Sequence, residues 1–161
     1  MKKTSLILFL SLTISLISCN DDDGPSTALQ YAEITGHNLP DYFELGEDYE
    51  IDVTYKLPNA CNTFAGFDHG GQKDEDDETI FIYYINAVTS YDPNLTECDQ
   101  EGNLTSTKTV RKFSISENSE YKTIQFKLLK GISATNEPSY ITVNVPVGEP
   151  EAETPEETPA E

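Results

Sequence analysis

The side chains able to do chemistry in this chain are carboxylates, tyrosines, two histidines and three cysteines. The densest group is Asp74-Glu75-Asp76-Asp77-Glu78, an unbroken run of acids. Hard oxygen ligands suit Ca²⁺. Asp68, Asp74, Asp76, Asp77 and Glu78 form the candidate metal set, with Asp68 joining from across a turn. The spacing departs from the EF-hand loop, which needs alternating acids, a Gly and a distal Glu. The reading preferred for this run is a solvated loop that keeps a sheet edge from pairing with other chains. Histidine chemistry is thin. His37 lies in Gly36-His37-Asn38-Leu39-Pro40, and His69 lies in Phe67-Asp68-His69-Gly70-Gly71. Asp68 and His69 do not make a catalytic pair, because neighbours on an extended chain point to opposite sides. No Ser stands in a G-x-S-x-G turn. A carboxylate pair for glycoside cleavage is not excluded by residue type, but the chain is small for such a cleft. The expectation is therefore a non-catalytic protein. Tyrosine suits contact surfaces, and Tyr31, Tyr42, Tyr83, Tyr84, Tyr91 and Tyr140 are available to meet a protein or a glycan. The absence of Trp weakens a glycan platform.

Composition narrows the setting of these groups. The 161 residues carry 10 Lys and Arg against 29 Asp and Glu, a formal net charge of −19. That field repels phosphate, and no basic run offsets it, so a nucleic-acid partner is excluded. Apolar residues at 37% are enough for one core and too few for a multi-span membrane protein.

The elements that must position the chemistry are strands. Residues 48–57 alternate, with Tyr49, Ile51, Val53, Tyr55 and Leu57 on one side and Asp48, Glu50, Asp52, Thr54 and Lys56 on the other. Period two with β-branched and aromatic residues means a half-buried strand. The signature recurs at Thr123–Leu128 and Tyr140–Val145. Thr79–Thr89 is nearly continuously apolar from Ile80 to Ile85, as a central strand covered on both faces should be. Val110–Ser116 is a further strand, and Leu29–Thr35 and Cys61–Phe67 are weaker ones. Turn residues separate them, among them His69-Gly70-Gly71 and Asn136-Glu137-Pro138, and Asp92–Thr107 reads as a long polar loop. No window keeps helical spacing. About seven short strands predict an all-β fold, a single antiparallel immunoglobulin-like β-sandwich. Tyr121, after a polar turn and before a strand, is placed for a tyrosine corner.

The N-terminus reads as an address. A basic start, Met1–Lys3, precedes an apolar run from Leu6 to Ile17, too short to span a bilayer and of the length of a secretory leader. It ends in Leu16-Ile17-Ser18-Cys19, which resembles the bacterial lipobox. That resemblance implies cleavage after residue 18 and lipid on Cys19, and acyl chains would hold the protein to the outer membrane. The following Asn20-Asp21-Asp22-Asp23 resembles the surface-export signal of Bacteroidota lipoproteins, or serves only as a charged tether. With Cys19 assigned to lipid, Cys61 and Cys98 remain, an even pair in an oxidising compartment and expected to form a disulfide.

The succession of lipobox, first strand, Leu57-Pro58-Asn59-Ala60-Cys61, long apolar strand, second Cys and Tyr-led penultimate strand resembles small flavobacterial-type outer-membrane lipoproteins over residues 29–147. The group brings no activity with it. The expected organisation is a leader at 1–18, a flexible acidic tether at 19–28, the β-domain at 29–147 and a disordered Glu/Pro/Thr tail at 148–161. The expected function is a surface-exposed binding or adhesion module without a required cofactor, calcium being the open option. A structural accessory on the periplasmic face is the alternative, and an enzyme stands third.

Overall fold

A computed structural model describes residues 26–95 and 97–148. The leader, Cys19, most of the acidic tether and the tail beyond Gly148 lie outside the described residues. The described chain is all-β, with seven strands: β1 (Ala28–His37), β2 (Asp48–Lys56), β3 (Thr63–Lys73), β4 (Ile80–Tyr91), β5 (Thr105–Ser114), β6 (Thr123–Ile132) and β7 (Pro138–Pro146). They form one open sheet in the order β5-β2-β1-β4-β6-β7, with β3 on β4.

β4 organises the sheet. One of its edges is taken by β3 from Lys73↔Phe81 to Thr63↔Ser90. The other is shared in succession by β6, from Ile80↔Thr123 to Ile85↔Leu128, and by the first half of β1, from Ala32↔Ala87 to Ala28↔Tyr91. β1 then changes partner, and Glu33–His37 pair with β2 across a register shift between Ile34 and Gly36. Asn38 fixes this exit, its Oδ1 accepting from Asp52 N at 2.6 Å and its Nδ2 donating to Glu50 O at 3.1 Å.

The sheet folds back on itself at β1. β5 and β6 stand four places apart in strand order, which in a flat sheet is roughly 19 Å. Yet the rings of Phe113 on β5 and Phe126 on β6 have centroids 5.6 Å apart. Phe113 also meets Tyr83 of β4 at 5.3 Å, and Tyr55 of β2 stacks on Phe64 of β3 at 4.6 Å. One wall carries β5, β2 and the end of β1, and the other carries β3, β4, β6 and β7. The alternation foreseen in β2, β6 and β7 supplies the apolar lining between them: Ile51, Val53, Tyr55, Ile124, Phe126, Leu128 and Val145 are all buried.

Several expectations need correction. The sheet is not purely antiparallel, because β4 and β6 run parallel. The chain leaves β4, crosses to the opposite wall for β5, and returns to lie beside β4 in the same direction. His69-Gly70-Gly71 is not a turn but the middle of β3, paired with Ile85, Tyr84 and Tyr83. Gly71 answers to packing: a Cβ there would stand 2.3 Å from Phe81 Cε1. The polar stretch expected as loop to Thr107 already belongs to β5 from Thr105, whose first residues pair with Lys56 to Val53 of β2 and are solvent-exposed. Tyr121 makes no corner bond, and its ring packs on Phe81 at 5.1 Å. Tyr49 makes the equivalent contact, its hydroxyl accepting from Glu44 N at 2.9 Å.

The 38–47 connection contributes to the core although nothing in its pattern announces it. Phe43 is 0% exposed and its ring meets Tyr49, Phe113 and Phe126 at 4.9, 5.3 and 6.0 Å. Its backbone is clamped to the end of the domain, Phe43 N donating to Pro146 O at 2.9 Å and Gly148 N to Phe43 O at 2.8 Å.

Candidate binding face

The outward face of the β3-β4-β6-β7 wall is the strongest site in the molecule. Side chains alternate along β4, so Phe81, Tyr83, Ile85 and Ala87 face the core while Ile82, Tyr84, Asn86 and Val88 face outward. Ile82 and Leu129 are buried at 8% and 2% exposure without belonging to the central core cluster. Something on the outer side therefore covers them. On this face the registers place Gln72 and Gln125 beside Ile82 and Tyr140 opposite Leu129, while Tyr31 stands opposite Val88 farther along β4. The Tyr84 and Tyr140 rings meet edge-to-face at 5.8 Å. Burial first, and then the neighbouring phenols of Tyr84 and Tyr31, push the Tyr140 hydroxyl above its ordinary titration range. Three tyrosines thus share one electrostatic neighbourhood on a solvent-facing sheet.

The β3 side of this face is bare. Gly66 lies opposite Val88 and Gly70 opposite Tyr84, and a Cβ on either would meet nothing within 4 Å. Asp68 rises between them, accepting from Asn86 Nδ2 at 3.3 Å on one carboxylate oxygen and leaving the other to a further donor. A hollow of about 330 Å³ is lined by Leu29, Tyr31, Asp68 and Val88. A larger one, about 580 Å³, lies beyond Tyr31 and is lined by Leu57, Pro58, Lys130 and Ile132 among others. Leu29 and Tyr31, 67% and 43% exposed, form the ridge between the two. Flat aromatic surface, a carboxylate acceptor and a shallow floor suit a ligand with both apolar C–H faces and hydroxyl groups.

The remaining candidate residues fall elsewhere. Asp68 does not join Asp74, Asp76, Asp77 and Glu78: six residues along an extended strand separate it from Asp74, roughly 20 Å. The acidic loop uses its oxygens internally. Asp74 Oδ1 accepts from Asp76 N and Asp77 N at 2.9 and 3.0 Å, and Asp77 Oδ1 accepts from Thr79 N and Thr79 Oγ1 at 2.9 and 2.7 Å. The Thr79 hydroxyl and amide hold the Asp77 carboxyl below the usual range, with Lys122 adding to this against a small opposing effect of burial. Among the described residues no group of three or more His, Cys, Asp or Glu could hold a metal ion. Asp68 and His69 point apart as their adjacency requires, His69 Nδ1 lying 2.8 Å from the hydroxyl of buried Tyr83. His37 Nδ1 accepts from Leu39 N at 3.3 Å in a turn.

Cys61 and Cys98 form a disulfide, 37 residues apart in sequence and with Cα atoms 5.6 Å apart. It ties the approach to β3 to the β4–β5 connection, beside a backbone bond from Ala60 N to Asp99 O at 2.9 Å. Of the tyrosines read as available for contacts, Tyr83 is core, while Tyr31, Tyr84 and Tyr140 converge. Sequence reading did not pick out Gly66, Gly70 and Asn86. Their signal was faint: glycines within what proved to be a strand, opposite an aromatic run. No protein family, curated protein or solved structure matches the chain.

Proposed function

We propose that this chain is a non-catalytic binding module, carried as a lipoprotein on the outer membrane through Cys19 and facing outward, whose domain is an immunoglobulin-like β-sandwich binding neutral glycan on the Tyr31–Tyr84–Tyr140 face. The observation that carries the reading is the gathering of these three tyrosines on a solvent-facing sheet beside Asp68 and a glycine-bared strip. Aromatic rings take the C–H faces of sugars, and the carboxylate takes hydroxyls. A net charge of −19 favours uncharged sugar over acidic polymers. The folding of the sheet on itself supports the sandwich, and the lipobox-like Leu16–Cys19 supports the anchor.

Affinity electrophoresis of the purified chain in gels containing neutral polysaccharides tests the ligand. Retardation by at least one polymer is expected, lost in Tyr84→Ala and kept in Tyr91→Ala. A chain that runs freely through every gel refutes the glycan reading. Protease shaving of intact cells tests the location. Loss of the chain with a periplasmic control intact supports display at the surface, and protection moves the domain to the periplasmic side, with envelope proteins as partners.

A further inference from the structure

A separate cavity opens between the walls, and it does not depend on the tyrosine face. It measures about 410 Å³ and is lined by Phe81 and Tyr83 of β4, Arg111 and Phe113 of β5, Tyr121 and Ile124, and serines. The volume falls within the ~300–1,000 Å³ typical of small-molecule sites. Its interior is apolar and stiff. Tyr83, Phe113 and Ile124 are at most 8% exposed, and the ring pairs Phe81–Tyr121 and Tyr83–Phe113 stand 5.1 and 5.3 Å apart.

One charge borders this cavity, and it is a cation. Arg111 pairs with core-facing Ile51 of β2 and so lies on the inward side of β5, at the sheet's edge. Its Nε donates to Lys112 O at 2.9 Å, which holds the stem and leaves the terminal nitrogens for another acceptor. No Asp or Glu lines the cavity, although acids outnumber bases 29 to 10 in the chain. An aromatic pocket whose lining holds an arginine and no carboxylate, the nearest being Glu120 in the adjoining hollow beyond Ser119 and Tyr121, is complementary to an apolar body bearing a single negative charge. A planar guanidinium fits a carboxylate through two parallel hydrogen bonds. The overall negative field disfavours multiply charged anions such as phosphates.

We propose that this cavity binds a medium-chain fatty acid, the acyl chain among Phe81, Tyr83, Phe113 and Tyr121 and the carboxylate on Arg111. The test is isothermal titration of the purified chain with decanoate and with decanol, in the native sequence and in Arg111→Met, which keeps an apolar stem. The native chain is expected to bind decanoate about 10- to 100-fold more tightly than decanol. Arg111→Met should lose that preference. Arg111 is solvent-exposed, so the variant keeps its fold, and its unfolding midpoint should match that of the native chain. Absence of decanoate binding, equal affinity for acid and alcohol, or a preference that survives in Arg111→Met overturns the proposal.

Discussion

Phe43 offers the sharpest test of how this fold is held. It belongs to no strand, yet it is fully buried and meets Tyr49, Phe113 and Phe126, which come from both walls. Its backbone N–H and C=O both bond to the chain around Pro146 and Gly148. Replacing it by Ala removes the ring and leaves a cavity that three rigid aromatic neighbours cannot close, so the cost belongs in the upper part of the ~3–5 kcal/mol range for Phe→Ala. A domain of ~120 residues has a total stability of about 6–18 kcal/mol. The substitution therefore consumes a large share of it without necessarily unfolding the chain. With a urea slope of about 1.5 kcal/mol per molar, a loss of ~4.5 kcal/mol lowers the unfolding midpoint by roughly 3 M. Phe43→Leu, which retains most of the volume, should cost about 1–1.5 kcal/mol. Urea unfolding followed by circular dichroism, with the disulfide intact in every variant, measures both, and hydrogen exchange at Gly148 N should accelerate in Phe43→Ala. A cost for Phe43→Ala below ~1 kcal/mol, or unchanged protection at Gly148, would refute the claim that this connection closes the core.

Further outcomes follow from other contacts. Cys61→Ala with Cys98→Ala opens a 37-residue loop and should lower stability by up to about 4 kcal/mol on the chain-entropy account; an unchanged urea midpoint contradicts it. Gly71→Ala forces Phe81 aside and presses on Ile82 O, so a loss of about 1–3 kcal/mol is expected. Gly70→Ala meets no atom and should be neutral or gain up to ~1 kcal/mol from a stiffer unfolded chain; thermal melts that fail to separate the two would sink the packing argument. The raised titration of Tyr140 means that the folded chain holds this phenolic proton more tightly than the unfolded chain does. Its contribution to stability is full below the unfolded value of ~10 and is lost as pH rises through the folded one. Tyr84→Phe and Tyr31→Phe should each make Tyr140 ionise at lower pH in a tyrosinate absorbance titration.

How much of this was legible in the sequence depends on where a strand sits. β2, β6 and β7 have one wet and one dry face, so their alternation announced them and named their buried residues. β4 showed itself as a continuous apolar run, but the cover this implied on both faces is incomplete, because outward Tyr84, Asn86 and Val88 are only half-buried. The edge strands β3 and β5 did not show their full extent. Thr105–Lys108 are exposed, and Asp68–Lys73 of β3 are exposed too, so no burial pattern was written into them; their hydrogen bonds to β2 and β4 alone make them strands. The parallel pairing of β4 with β6 is a property of the route between walls and leaves no local mark. The tyrosine face was half legible. Its residue types were visible, but separating core Tyr83 from surface Tyr84 required knowing which side of β4 met the second wall. The meeting of Tyr84 and Tyr31 around Tyr140 required the register of strands remote in sequence.

The division of β1 between two partners has a mechanical side. Ala28–Ala32 are bonded to β4 and Glu33–His37 to β2, so a pull on the N-terminus enters the domain through two hydrogen-bond ladders in series. A load along the strand strains all the bonds of the first ladder together, in shear, whereas a load across it opens them one after another from Ala28. The second ladder, anchored in the opposite wall and interrupted by the register shift between Ile34 and Gly36, is loaded only after the first has yielded. Were the chain held at Cys19, drag on a captured ligand would enter by this route, and detaching the first half of β1 would lengthen the tether while the walls stayed closed.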